Sequence, residues 1–375
     1  MNLRDTPGEA AFRTELRAWI GANLPEAQRG GRGGERRFAE VGRQWSRKLY
    51  DAGYAGLTWP TEYGGGGAPY GHQAIFLEET ARAEAPAHIG VIGIGMAGPT
   101  IIVHGTKAQK SRYLARILSA EEIWCQGFSE PDAGSDLAAA RTRAELRGDR
   151  FVVNGQKVWS SFAHIADWCI LVTLSDPEAP RYKGLTYLLV DMHAPGVEVR
   201  PLRQLTGEAE FNEIFFTDVE VPVANALGGI GEGWQVAMTT LLHERGTLGF
   251  ALTAALEVNV NKLLKLADGV GDDGLRDRIA REWIELQALR YTNYRSLSTL
   301  MKTGVPGPEG SIAKLQWSEA NQRLTTLARE LVGPVDDGWW GYQQLRSRGN
   351  TIEAGTSEVL RNIVAERVLG LPRSR

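Results

Sequence analysis

Three features of the 375-residue sequence predict a multidomain α+β fold: an N-terminal helical domain, a middle antiparallel β-domain and a C-terminal helical bundle. Apolar residues recur at helical spacing up to about residue 122. Short apolar runs bounded by turn residues fill the stretch from 123 to 228, and helical periodicity then lasts to the end. The predicted domains are therefore 1–122, 123–228 and 229–375, the last a four-helix bundle.

In the first block, Phe12, Leu16, Trp19, Ile20 and Leu24 share one helix face, with Arg13, Glu15 and Arg17 between them. GGRGGERR at 30–37 breaks the pattern, a second helix ends at Gly53, and LTWPTEYGGGGAP is an extended connection. LEETARAE and SRYLARILSAEE return to helical composition. In the middle block, FVVNGQKVW places Asn154-Gly155 between two apolar runs and predicts a hairpin turn there. Strand-like runs follow at 168–174, 185–192, 197–202 and 214–221, separated by turn-rich pieces such as SDPEAPRYKG and MHAPG. No helix separates these runs, which argues against a parallel βαβ sheet and for an antiparallel sandwich or barrel. Beyond GGIGEGW, Ile279, Trp283, Leu286 and Leu289 trace one apolar stripe, and 313–331 is another periodic stretch. Pro306 and Pro308 break this helix pair.

Composition narrows the function. Hydrophobic residues make up 43% and charged ones 23%, a globular balance that excludes wholesale disorder. Forty-two basic against 45 acidic residues give a net charge of -3, so nothing in the charge points to nucleic acid or an anionic membrane. Two cysteines, Cys125 and Cys169, are too few for a disulfide scaffold or a cysteine metal cage. No apolar run approaches the ~18 residues of a spanning helix, and the first residues lack a signal-peptide core. A cytoplasmic protein is expected.

Gly93, Gly95 and Gly98 match G-x-G-x-x-G, but Pro99 follows at once and the acids at Glu121 and Glu122 sit in a helical run. Close helix packing is the expected role of these glycines rather than a dinucleotide site. The six histidines show no metal-ligand spacing, so no metal is expected. Cys125 has no basic neighbour in sequence and reads as a buried thiol.

Two segments carry chemistry: QGFSEPDAGSDLAA at 126–139 and IEAGTSEVLRNIVAERVLGLP at 352–372. Both resemble the signature regions of the acyl-CoA dehydrogenase family. The likeness extends through LTWPTEYGGGG, YLARILSAEEIW, NGQKVWSS, FNEIFFTDVEVP and GGIGEGW, in order along almost the whole chain. It implies an FAD enzyme that removes an α-proton and a β-hydride from an acyl-CoA thioester and passes electrons to electron-transfer flavoprotein. That chemistry needs a carboxylate base, donors to the thioester carbonyl and a flavin held against the β-carbon. By the resemblance, Phe128, Ser129, Trp159 and Ser161 match flavin-contacting positions, and Thr356 and Glu358 match contacts to the dinucleotide part of FAD. Ser135 and Arg245 match positions near coenzyme A.

Many family members place the base immediately before the glycine of the second signature, where this chain has Ala354. A second family solution puts it on a third-domain helix, and Glu244 of HERG fits that. Glu244 lies in VAMTTLLHERGTLGFALTAAL, where a carboxylate is costly unless functional or paired, and burial would raise its pKa toward that of a stronger base. The alternatives are a Glu244 paired with a distant arginine, and Glu353 as the base. The backbone N–H of Ala354 remains available to the thioester carbonyl. The family's arginine–phenylalanine motif for a neighbouring subunit's FAD is missing from NKLLKLADGVGDDGL, and a usual diglycine turn is LVGPVDD. Rival readings are an acyl-CoA oxidase, a flavin monooxygenase or nitroalkane oxidase on the same fold, or a non-catalytic subunit completing a partner's FAD site. A homotetramer or homodimer is expected, or a hetero-oligomer with a paralogue.

Overall fold

Local chemistry sets where the first helix begins. In α1 (Pro7–Asn23) the Thr6 hydroxyl accepts from the Glu9 N–H, the Glu9 carboxylate accepts from the Thr6 N–H, and a proline opens the first turn. The same reciprocal box starts α5 (Lys107–Leu118), between Thr106 and Gln109. The computed structural model describes residues 4–25, 35–246, 248–304, 307–333 and 338–373, with the side chains at 35–37 and 244–248 outside that set. Most of the glycine-rich segment at 30–37, and Pro306, therefore lie outside the described residues.

The chain forms two compact units that are not consecutive in sequence. The first holds α1, α3 (Tyr70–Arg82), α7 (Leu248–Leu266), α8 (Asp273–Thr303), α9 (Gly310–Val332), α10 (Trp339–Ser347) and α11 (Ser357–Ile363). Leu256, Val260, Leu263, Ile279, Leu286, Leu289 and Leu324 fill the core of its bundle. The predicted α8 stripe is buried except for Trp283, which is exposed. At about 100° per residue Trp283 falls on the opposite edge of the stripe from Leu289, where the neighbouring helices no longer cover it. Where α1 meets α3, Arg13 and Arg17 reach the buried Glu79, and Arg13 also reaches Glu78.

The second unit holds α2 (Glu35–Asp51), α4 (Gly98–His104), α5, seven strands, and α6 (Gly233–Gly246) as far as His243. The strands are β1 (Trp124–Gly127), β2 (Arg143–Arg147), β3 (Arg150–Ser161), β4 (Trp168–Leu174), β5 (Leu185–Asp191), β6 (Val197–Leu202) and β7 (Phe211–Pro222). Their order is β1-β4-β2-β3-β7-β6, with β5 also on β4. All pairings are antiparallel except β1 with β4 and a single contact of β2 with β4. The β1–β4 pair can be parallel because residues 128–167 supply the long return that a parallel neighbour requires. Strands β4 and β5 are buried on both faces, which explains their unbroken apolar runs: Ile170 and Val172 face one cluster, Cys169 and Leu171 the other.

Asn154-Gly155 is not a hairpin turn. The β2–β3 turn is Gly148-Asp149, with Gly148 at φ +63° and Arg147 opposite Arg150. Asn154 instead bonds Asp218 on β7 through both its amide atoms, and the β3–β7 register shifts between Val153 and Gly155. A Cβ at Gly155 would lie 2.6 Å from Thr142 Oγ1, so glycine serves close backbone approach within a bulge. Close packing, as expected, holds for Gly93, which faces Ile117, and for Gly98, which faces the Trp59 ring, but not for Gly95, which has open space; the three run through one π-helical turn into α4. Cys125 and Cys169 are free, buried and opposite each other in the β1–β4 register, and burial raises the Cys125 thiol pKa.

Candidate active site

The chain leaves β1 at Gly127 and runs through Phe128, Ser129 and Glu130. Beneath this loop Lys157 of β3, wholly buried, donates from Nζ to the Phe128 carbonyl at 3.0 Å and to Glu130 Oε1 at 2.8 Å. Glu130 also accepts from the Arg141 and Thr142 N–H groups at 2.7 and 2.8 Å. Burial would raise its carboxyl pKa, but Lys157 and these donors outweigh burial and hold it below the usual range. The Val158 N–H donates to the Ser129 carbonyl at 2.9 Å, so the 128–130 loop and the end of β3 are stitched side by side.

Just past that stitch the β3–β7 register shifts again, between Lys157 and Ser160, and Trp159 takes φ +61°. Its indole is 60% exposed, with its edge toward Phe211 at 6.2 Å between ring centres. A tryptophan in left-handed backbone on a strand is strained, and solvent exposure of its ring forgoes burial. Ser129 and Ser161 are half-buried on either side of this point in the chain path, and Ser135 is exposed further along the loop. Asp136, next to Ser135, pairs with Arg181.

In the other unit, Glu353, Ala354 and Thr356 lie on the turn leading into α11, and Glu358 lies in the first turn of that helix. Ala354 has φ +52° and Gly355 φ +95°. Lys314 of α9, buried, braces this turn by donating to the Asn350 and Gly355 carbonyls at 2.7 and 2.8 Å. The Asn350 side chain is held in turn by Asn321 at 2.9 Å. Glu353 does not project freely: Arg346 bonds both its oxygens and the Asn350 amide donates to Oε1 at 2.9 Å. Thr356 caps α11, its hydroxyl accepting from the Val359 N–H at 3.2 Å. Glu358 is exposed, and its own backbone N–H and the Thr356 hydroxyl hold its carboxyl below the usual range.

Glu244 and Arg245 lie near the end of α6, and their side chains are outside the described residues. The α6 stretch before them is described. Thr240, one turn ahead of Glu244, is buried and bonded to the Thr100 and Tyr187 hydroxyls at 2.9 and 3.0 Å. Thr239 bonds His104 at 2.9 Å. Burial lowers the pKa of His104, and burial, then the neighbouring His104, lowers that of His243. Sequence reasoning missed Glu130, Lys157, Lys314 and Arg346. The signal for Lys157 was a lone charge at an inward position of an apolar strand, and for Lys314 a lysine in the apolar stripe of α9. Among the described residues no group of three or more His, Cys, Asp or Glu is placed to hold a metal, and no helix is long and apolar enough to cross a membrane.

Comparison with known proteins settles the family. The acyl-CoA dehydrogenase N-terminal, middle and C-terminal domain models match residues 6–121, 125–219 and 231–369. The chain belongs to the acyl-CoA dehydrogenase family. It is 42% identical over 378 residues to acyl-CoA dehydrogenase IpdE1 of Mycobacterium tuberculosis, across 96% of this chain and 97% of that one. Among solved structures, the Tcur3481-Tcur3483 steroid ACAD aligns over all of both chains with a TM-score of 0.88 and 31% identity. The ChsE4-ChsE5 complex from Mycobacterium tuberculosis also aligns over all of both chains, at 0.86 and 29%. The chain is thus an acyl-CoA dehydrogenase, an oxidoreductase of lipid metabolism, and FAD is the cofactor of its family. The residues present fit such a group. An indole left largely in solvent at a strained bulge, stitched to a loop carrying a half-exposed serine, is suited to a flat heterocycle that both stacks and hydrogen-bonds.

Proposed function

We propose that this acyl-CoA dehydrogenase oxidises a bulky acyl-CoA thioester to its trans-2-enoyl-CoA and passes the electrons to electron-transfer flavoprotein. Bound FAD supplies the acceptor for the hydride that leaves the β-carbon. Phe128, Ser129, Trp159 and Ser161 hold and cover the ring, and Thr356 and Glu358 serve the dinucleotide part. Ser135 and Arg245 bind the coenzyme A arm. The Ala354 N–H donates to the thioester carbonyl, which stabilises charge developing on that oxygen as the α-proton leaves. Glu244 takes that proton.

The observation that carries the assignment is the state of Glu353. Its carboxylate is occupied by Arg346 and Asn350, which fix its direction, so Glu244 is the better of the two candidate bases. The preference for a bulky substrate rests on the likeness to a protein described as a steroid ACAD. Anaerobic addition of thioesters, graded from short-chain to steroid, to the purified yellow protein tests the reading. Bleaching is expected with the bulky ones, and Glu244→Gln should slow it by about 10²–10⁴-fold while flavin stays bound. Bleaching that survives Glu244→Gln and disappears in Glu353→Gln would overturn the assignment.

A second reading has its own support: the missing arginine–phenylalanine motif, and likeness to solved structures described by paired chain names. In it, the chain acts only with a paralogous partner that completes the FAD site. A colourless protein that turns yellow only when co-expressed with such a partner would favour this reading. A chain that is yellow by itself, as a homodimer or homotetramer, would exclude it.

A further inference from the structure

We propose that Lys157 is the positioning residue of the flavin cradle, its buried ammonium fixing the Phe128–Ser129 backbone against the Trp159 bulge. The proposal rests on the flavin reading of those residues given above. Lysine is among the most costly side chains to bury, and Lys157 is fully enclosed within the β-domain. A buried ion pair is weak evidence for stability, since apolar residues of similar volume often serve the fold as well or better. What a charge adds is direction. Glu130 is tied to the backbone of Arg141 and Thr142, Lys157 is tied to Glu130, and the ammonium also donates to the Phe128 carbonyl.

The surroundings make room for this arrangement. A Cβ at Gly127 would lie 2.7 Å from Leu171 Cδ1 and 3.0 Å from Cys169 Sγ, so glycine there lets β1 approach β4 closely, with the Lys157 stem in ordinary contact beside it. The next residue, Val158, continues the stitch to Ser129, and the strained Trp159 follows directly. One charged group thus locates both backbone segments that carry the proposed flavin contacts. Packing alone is non-directional and would allow them to slide.

The test is FAD titration of the flavin-stripped, full-length protein, followed by flavin fluorescence and by the visible spectrum of the bound flavin. Lys157→Met/Glu130→Gln removes both charges together, leaving no unpaired ion inside. It should keep the wild-type far-UV circular dichroism, bind FAD at least tenfold more weakly and shift the flavin spectrum. Glu130→Gln retains an amide oxygen for Lys157 and leaves the Phe128 bond intact, so its FAD affinity should stay within threefold of wild type. A folded double variant with wild-type affinity and spectrum would overturn the proposal. So would a folded Glu130→Gln that loses tenfold, because the pair would then be a core element rather than a positioning one. If the double variant does not fold, Lys157→Met alone takes its place, since Glu130 keeps its Arg141 and Thr142 donors, and wild-type FAD affinity in that folded variant would overturn the proposal. A wild-type protein that takes up no FAD, alone or with a partner, removes the flavin reading itself and this proposal with it.

Discussion

Arg346 grips Glu353 through two parallel hydrogen bonds, Nη1 to Oε1 at 3.2 Å and Nη2 to Oε2 at 2.9 Å. A guanidinium fork that meets both oxygens in this way fixes the direction of the carboxyl group. Glu353 therefore braces the turn that carries Ala354. Glu353→Gln should keep anaerobic bleaching within a few-fold of wild type and cost about 1 kcal/mol in urea unfolding, since the pair is partly solvated. A loss of bleaching approaching that of Glu244→Gln would contradict this.

Trp159 offers a separation of fold from function. Its ring is 60% exposed and its backbone is left-handed. In Trp159→Gly, relief of that strain and the greater chain entropy of glycine oppose each other, and little burial is lost. The urea midpoint of the flavin-free protein should therefore shift by the equivalent of about 1 kcal/mol or less. FAD affinity should fall at least tenfold in the same variant. A large stability loss with unchanged FAD binding would mark Trp159 as a core residue instead.

What could be read in the sequence follows from how local each signal is. Strands β4 and β6 match their predicted runs because each is a short hydrophobic segment closed by turn residues. Asn154-Gly155 misled because the same dipeptide that suits a two-residue turn also suits a bulge. What decides between them is Asp218 on β7, more than sixty residues away. The site divides in the same way. Phe128, Ser129, Trp159 and Ser161 are proposed from motif likeness, whereas Lys157, which bonds the Phe128 carbonyl and Glu130, acts across the fold. Lys314 serves carbonyls of Asn350 and Gly355, contacts that no periodicity encodes.

The Gly93/Gly95/Gly98 set predicts unequal responses to alanine. A Cβ at Gly98 would lie 2.0 and 2.2 Å from the ring atoms of Trp59, itself buried, so Gly98→Ala should destabilise by about 1–3 kcal/mol through overpacking. At Gly95 nothing lies within 4 Å, so Gly95→Ala should be neutral or stabilising by up to about 1 kcal/mol. Urea midpoints of the two variants check this. Equal effects would mean that the glycines serve something other than helix packing.

His88 gives the protein a pH dependence of known sign. Its Nδ1 accepts from the Gly90 N–H at 3.0 Å, and burial pushes its pKa down to about 4 from an ordinary 6.5. Between these values the unfolded chain binds a proton that the native imidazole refuses, so stability rises with pH across that window. The contribution is complete above about pH 6.5 and is lost as pH falls toward 4. Burial shifts His104 and His243 in the same direction, so both add to the wild-type slope, whereas burial raises the Glu282 carboxyl and opposes it. His88→Gln isolates the His88 contribution. Urea midpoints measured from pH 7.5 to pH 5 should fall less steeply for the variant than for wild type. Parallel curves would show that His88 is protonated equally in the folded and unfolded chains.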